Sequence, residues 1–314
     1  MNIRALVLSV ILLPGCCVLW AQSDTADWEK AAGVEMSFDV TSVKQNKSGL
    51  PPFGDKPKAN FSFGADDAYT PDRGYLSVRN FGTMGFIGFA YKLSTAEWVI
   101  VNAQLPKWAK EERFDVEARG PSTATKDQMR LMMQSLLADR FKLAVHWETH
   151  EGPVYALVLA KDGKMGPQLH SYADDPPCVA ANPRSSPRHL KLKVGEFPAT
   201  CFAVDAIASH PDPNGIWAIG SRNVSVQQIA NDLLGIPGSN LDRPVVDRTG
   251  LSGNFDFLVR IAVKWPSGLP NAEGDDSGPH FPEVLSDQLG LKLKRATAPI
   301  DKLVIDYIEE PSPN

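Results

Sequence analysis

Residues that commonly carry catalysis are scarce in this chain. Four cysteines and six histidines occur in 314 residues, and two of the cysteines are the adjacent Cys16 and Cys17. No serine stands in a G-x-S-x-G elbow. "GPSTATK" lacks the second glycine a phosphate-cradling loop needs before its lysine, so neither nucleophile-elbow nor P-loop chemistry is indicated, and no cofactor is expected. Charge bias is also weak. Lys and Arg number 32 against 37 Asp and Glu, and a net charge of -5 argues against nucleic acid or an anionic membrane as partner. Beyond the first residues, no apolar run is long enough to span a bilayer. Turn-formers, by contrast, are plentiful. The 25 prolines and 24 glycines suit strands and short helices better than a helical bundle, and 43% hydrophobic content suffices for a sizeable core.

"MNIRALVLSVILLPGCCVLWAQSD" carries one basic residue, Arg4, then an apolar run ending at Pro14 and Gly15. Such a run is short for a permanent span and reads as an export signal over residues 1–21, cleaved after Ala21. The alternative is a lipoprotein cut before Cys16, because "LPGC" approximates a lipobox. The mature protein is then periplasmic or extracellular, with no membrane span. Export leaves Cys178 and Cys201, which are expected to pair in an oxidising compartment. A zinc site would need a second ligand pair at finger-like spacing.

Four short motifs recur in the same order. "LSVRNFGTMGFIGFAYKL" (76–93) aligns with "AIGSRNVSVQQIANDLLG" (218–235) on Arg79-Asn80 and Arg222-Asn223. "RFDVEARG" then answers "NFDFLVRI", "LLADRFKLAV" answers "VLSDQLGLKL", and "PVYALVLAKD" answers "PIDKLVIDYI". Such order implies internal duplication. Thr125 with Gln128, and Ser225 with Gln228, have capping-box spacing and open helices. Apolar residues Met129, Met132, Met133, Leu136 and Leu137 recur at helical spacing, whereas "FDVEARG" alternates as a half-buried strand does. "KLAVHWE" and "VYALVLA" read as two strands turned at Glu151-Gly152-Pro153.

The expected fold is therefore α+β: two tandem βαββαββ modules, each a small sheet with helices on one face. The modules span residues 36–169 and 217–310. A flexible leader (22–35) precedes them, a Pro-rich, disulfide-stapled insertion (170–216) with a hairpin near 193–196 separates them, and a tail (311–314) follows. The long loop at 51–74 is of a length often tied to function.

"FDVTSVKQNKSG", "ERFDVEARGP", "RPVVDRTGLSGNFDF" and "QLGLKLKRATAPIDKLVIDYIEEP" resemble a soil-associated bacterial family whose defining domain has no assigned function. Some relatives of that kind join membrane sensor-peptidase modules, which implies signalling. More loosely, "NVSVQQIANDLLG" through "KLVIDYI" is similar to the short N-terminal domain of secretins and TonB-dependent receptors. That likeness implies an envelope contact module without a catalytic centre.

Asp247 in "DRTGL" lacks the lysine context of a phosphorylated aspartate and reads as the corner between two strands. His146, Glu148 and His150 alternate in "HWETH", so a strand would set them on one face as a possible metal triplet; no metal site is otherwise indicated. Arg113, Asp115, Glu117 and Arg119 read as a solvated charge ladder. No residue reads as catalytic. The sharpest feature is the stripe Gly82, Gly85 and Gly88 on the first module's helix, where the equivalent places in the second copy hold the polar Ser225, Gln228 and Asn231. Helical glycine costs about 0.5–1 kcal/mol against alanine, which implies a close contact there, with the other module, the 51–74 loop or a partner. The implied function is non-catalytic binding or signalling in the cell envelope, with a protein or peptide partner. A secreted hydrolase with its site between the modules is the alternative.

Overall fold

The computed structural model describes residues 27–33, 36–49, 55–161, 163–174, 177–180, 197–198, 200–202, 204–206, 216–236, 238–262 and 280–311. The export signal, the 193–196 hairpin, half of the 22–35 leader and much of the insertion lie outside these residues. The fold class is α+β. The first half runs α1 (Asp27–Ala32), β1 (Val40–Asn46), β2 (Lys58–Ala59), β3 (Tyr75–Gly82), α2 (Thr83–Ala90), α3 (Thr95–Gln104), α4 (Lys107–Glu111), β4 (Arg113–Arg119), α5 (Lys126–Arg140) and β5 (Ala144–Leu159). Then come β6 (Leu169–Ser171), β7 (Val179–Ala180), β8 (Thr200–Cys201), β9 (Asp205–Ala206), β10 (Ile216–Ser225), α6 (Val226–Asp232), β11 (Val245–Asp247), β12 (Asn254–Ala262), a π-helical turn (Leu285–Leu289) and β13 (Leu291–Tyr307).

One sheet has the order β1-β4-β3-β2, and a second has β6-β12-β10-β8-β7 with β9 beside β10. Alternation in "FDVEARG" buries Phe114, Val116 and Ala118 in the first core with Met129, Met132, Met133 and Leu137 of α5. The second core gathers Ile229, Leu233, Phe255, Phe257 and Leu285. Cys178 and Cys201 are joined, which ties the start of the insertion, just before β7, to β8. Part of the leader is ordered after all. Helix α1 docks on α5, where Gln134 donates to Glu29 at 2.6 Å.

A third sheet, β11-β5-β13, spans both cores. β5 and β13 pair antiparallel along their whole length, from Leu291 opposite Leu159 to Tyr307 opposite Ala144. Val145, Trp147, Leu303 and Ile305 at one end pack on the first core, and Leu157, Leu159, Leu291 and Leu293 at the other on the second. The expected turn at Glu151-Gly152-Pro153 is absent, because β5 continues through it for 16 residues. Odd-numbered residues of β5 aim their backbone at β11, as Tyr155 donating to Pro244 O shows. Pro153 belongs to that set, so its missing N–H breaks no bond to β13.

A second correction concerns the strand expected between α2 and β4. Helices α3 and α4 occupy that place, whereas the other half has β11 there. The two places do related work. β11 pairs with β5 at Tyr155–Leu157. The Gln104 side chain at the end of α3 donates to Leu303 O and accepts from Ile305 N, both at 3.0 Å, on the edge of β13.

The asparagines and aspartates of the first two recurring motifs meet in similar geometry. Asn80 and Asn223 both sit at positive φ, 57° and 56°. Each lies in a bulge, between Val78 and Phe81 or between Ser221 and Val224. Each backbone N–H is received by an aspartate of the next motif, Asp115 at 2.8 Å and Asp256 at 3.0 Å. Asparagine tolerates the left-handed region better than most residues, which suits it to both bulges.

Candidate functional site

Helices α2 and α3, the 62–66 loop and helix α6 enclose a groove of about 490 Å³. One wall carries Gly85, Gly88, Phe63, Phe81, Thr95 and Trp98, and the facing wall carries Gln228, Asn231 and Asp232. The glycine stripe and the polar face aligned with it in the sequence therefore look at one another. The stripe is not wholly helical, since Gly82 ends β3 and stands at the N-cap of α2. A Cβ on Gly85 would lie 2.9 Å from the Phe81 ring, and one on Gly88 3.0 Å from Trp98 Cδ1. Glycine thus lets two aromatic rings lie against the helix backbone. Trp98, which lines the groove, nevertheless stays 40% exposed.

The capping residues also set the rim. Ser94 and Glu97 form a reciprocal capping box that starts α3. Burial pushes the Glu97 carboxyl up, opposed by hydrogen bonds from Ser94. Ser225 accepts from Gln228 N–H at 3.1 Å, yet the Gln228 side chain donates to Phe202 O at 2.7 Å instead of completing a box. Asn231 accepts from Gln227 at 2.7 Å, and no bond is formed by its amide nitrogen or the Thr95 hydroxyl among the described residues.

A buried ionic cluster holds the loop wall in place. Arg130, with a fully buried side chain, donates to Gly64 O, to Asp66 O at 2.6 Å, and to Asp127 and Asp67. Lys126 donates to Asp66 Oδ1 at 2.8 Å and to Asp66 O at 2.6 Å. Burial pushes the Lys126 ammonium down to about 8, while the Asp66 charge works the other way. Burial works against ionisation of Asp67, but Lys92 and Arg130 outweigh it and hold the carboxyl below its usual range. Ser62 donates to the other Asp66 oxygen at 2.7 Å, so that carboxylate is spent on the loop. The helical pattern showed Lys126 and Arg130 one turn apart. It gave no sign that they turn inward onto "GADD", and nothing in the pattern marked Trp98.

The histidine triplet does not assemble. His146 lies between Asp306 at 2.9 Å and Glu148 at 3.3 Å, while His150 makes no such contact. Among the described residues no cluster of metal-binding side chains forms. Hydrogen bonding to Asp306, then to Glu148, raises the His146 pKa. The charge ladder is not simply solvated either. Asp115 holds Asn80 and Asn46, and Glu117 receives Tyr75 and Ser77 across the sheet. Asp247 is a corner: its Oδ1 accepts from Thr249 N and Oγ1, both at 2.8 Å, with Gly250 at positive φ.

Residues 84–308 match the family described as "Protein of unknown function (DUF3738)". The chain belongs to that family. The match runs from α2 to the end of β13, so the DUF3738 region takes in both walls of the groove except the 62–66 loop and Phe81. The chain matches no curated protein and no solved structure. No helix among the described residues is long and apolar enough to cross a membrane.

Proposed function

We propose that this DUF3738 protein is an exported, non-catalytic binding or signalling module of the bacterial cell envelope, and that it engages a protein or peptide partner in the groove. The carrying observation is the half-exposed Trp98 ring set against Gly88 and facing Gln228, Asn231 and Asp232. Aromatic surface beside a few hydrogen-bonding groups is the usual composition of a recognition pocket. The matched bulges at Asn80 and Asn223 favour an internally duplicated chain, with the groove between the copies. The likeness to a soil-associated family and to the secretin and TonB-receptor short domain adds weight to a contact role. The pairing of Cys178 with Cys201 agrees with export.

A hydrolase remains the second reading, because Asp66 and Asp232 both line the space between the halves. The binding of Asp66 by Lys126 and Ser62 counts against its serving as an acid or base. The test is recovery of partners from envelope extract by the wild type and by Trp98→Ala, read by mass spectrometry. A partner kept by the wild type and lost by a variant with an unchanged melt supports binding. Turnover of model ester or peptide substrates that Asp232→Asn abolishes would favour the hydrolase.

A further inference from the structure

Among the described residues, strand β13 is an edge strand whose one strand partner is β5. Where Gln104 meets it, Leu303 O and Ile305 N point away from β5, so its odd-numbered residues turn their backbone groups outward. From Ile305 back to Leu303 that edge is capped by the Gln104 amide. At Pro299 it has no N–H to offer. Leu293, Arg295 and Thr297 follow, and among the described residues their outward N–H and C=O groups meet no partner. Nearly every residue of this stretch is exposed.

Charge separates this stretch from the other open edge of the ribbon. On β5, residues 145–151 also lack outer ladder partners among the described residues, but their signs are mixed: His146 sits between Glu148 and Asp306, with Glu151 beyond. On β13 the open stretch has one sign. Lys292, Lys294 and Arg295 are exposed, and Lys161 directly follows Ala160, whose carbonyl receives Lys292 Nζ at 3.1 Å. This is a cationic strip on a chain of net charge -5. Two copies paired through it would oppose like charges, which is unfavourable.

We infer that the β13 edge from Leu293 to Thr297 is a docking strand for an extended acidic peptide segment of a partner protein. Unpaired ladder groups call for a second backbone, and the cations select its side chains. An extended chain repeats its N–H and C=O groups every two residues, in step with Leu293, Arg295 and Thr297. Acidic residues at alternate positions would meet Lys292 and Lys294 on one face. Apolar residues between them would continue the Leu293 side. None of these residues lines the groove, so the inference stands or falls apart from the groove reading.

The test uses the full mature chain and a fluorescent heptapeptide of alternating glutamate and valine, followed by anisotropy. The same peptide with alternate N-methyl groups has equal charge but cannot complete the ladder. Losing two or three ladder bonds should weaken binding by about 10- to 100-fold. Lys294→Glu should weaken the unmethylated peptide comparably. Thr297→Pro, which deletes only an outward N–H, should do so with the melt unchanged. Equal binding of both peptides would reduce the strip to a charge effect and overturn the inference. So would no binding of either, competition by phosphatidylglycerol vesicles but not by unlabelled peptide, or a concentration-dependent dimer formed through this edge.

Discussion

The paired bulges permit a measurement in which one half of the molecule is the control for the other. Asp256 and Asp115 both receive the N–H of a left-handed asparagine, at 3.0 and 2.8 Å. Their remaining partners differ. Asp256 also accepts from Arg222 Nε at 2.9 Å, and the two side chains are only 8% and 6% exposed. Asp115 accepts from the neutral Asn46 amide at 2.7 Å. Asp256→Ala therefore takes the carboxylate away from a buried guanidinium, and breaking one side of such a pair costs about 3–5 kcal/mol. The Arg222 contact with the Tyr172 ring, at 5.5 Å, does not replace a carboxylate. Asp115→Ala leaves one N–H and one amide without an acceptor, for about 1–2 kcal/mol. Urea unfolding followed by circular dichroism should show the larger loss for Asp256→Ala, as a midpoint shift of about 2 M for a slope near 2 kcal/mol/M. An apolar double variant, Arg222→Met with Asp256→Val, should recover much of that loss, because desolvation of both ions is then avoided. Costs for the two alanine variants within about 1 kcal/mol of each other would refute the reasoning, as would a double variant no more stable than Asp256→Ala.

Thiol labelling of denatured, unreduced mature protein should find Cys178 and Cys201 unreactive; replacing both by serine should cost about 3 kcal/mol for a separation of 23 residues. Two reactive thiols would contradict the pairing. Gly85→Leu should destabilise by about 1–3 kcal/mol by pushing the Phe81 ring from its place, read as a lower melting temperature. Gln228→Leu, across the groove, should cost nearer 1 kcal/mol through its lost bond to Phe202 O. Reversed costs would show the glycine face to be slack. The His146 imidazole should titrate above its ordinary value by proton NMR, and Asp306→Asn should bring the midpoint back down. Because the folded value is the higher one, any stabilisation from this group is complete below roughly pH 6.5 and is lost as pH rises through the folded pKa. A wild-type midpoint at or below the ordinary value would rule out the ion pair.

Local rules carried a good deal of this structure. Thr125 and Gln128 form the capping box their spacing implied, and α5 runs from Lys126 to Arg140 because its apolar residues repeat at helical spacing. Alternation placed Phe114, Val116 and Ala118 inward, and the Asp247 corner followed from turn chemistry. The glycine stripe and its polar counterpart were visible as sequence. That they face one another across a groove was not, because helical periodicity states which residues share a face and not what that face meets.

What sequence alone determined were the features governed by neighbours within a few positions: the α+β composition, the caps, the alternating strands, and the asparagine–aspartate motifs that recur in order. Contacts between distant residues decided the rest. Gly152 and Pro153 satisfy the sequence rule for a turn, yet pairing with β13 over some sixteen residues keeps the chain extended, and the proline's missing N–H faces away from that partner. Lys126 and Arg130 look like solvent-facing helix charges, yet the 62–66 loop folds over them and buries both. Gln104 caps the β13 edge from 199 residues away, leaving Leu293 to Thr297 open. Backbone hydrogen bonds and desolvated charges are settled by whichever partner arrives in space, and the order of residues along the chain does not name that partner.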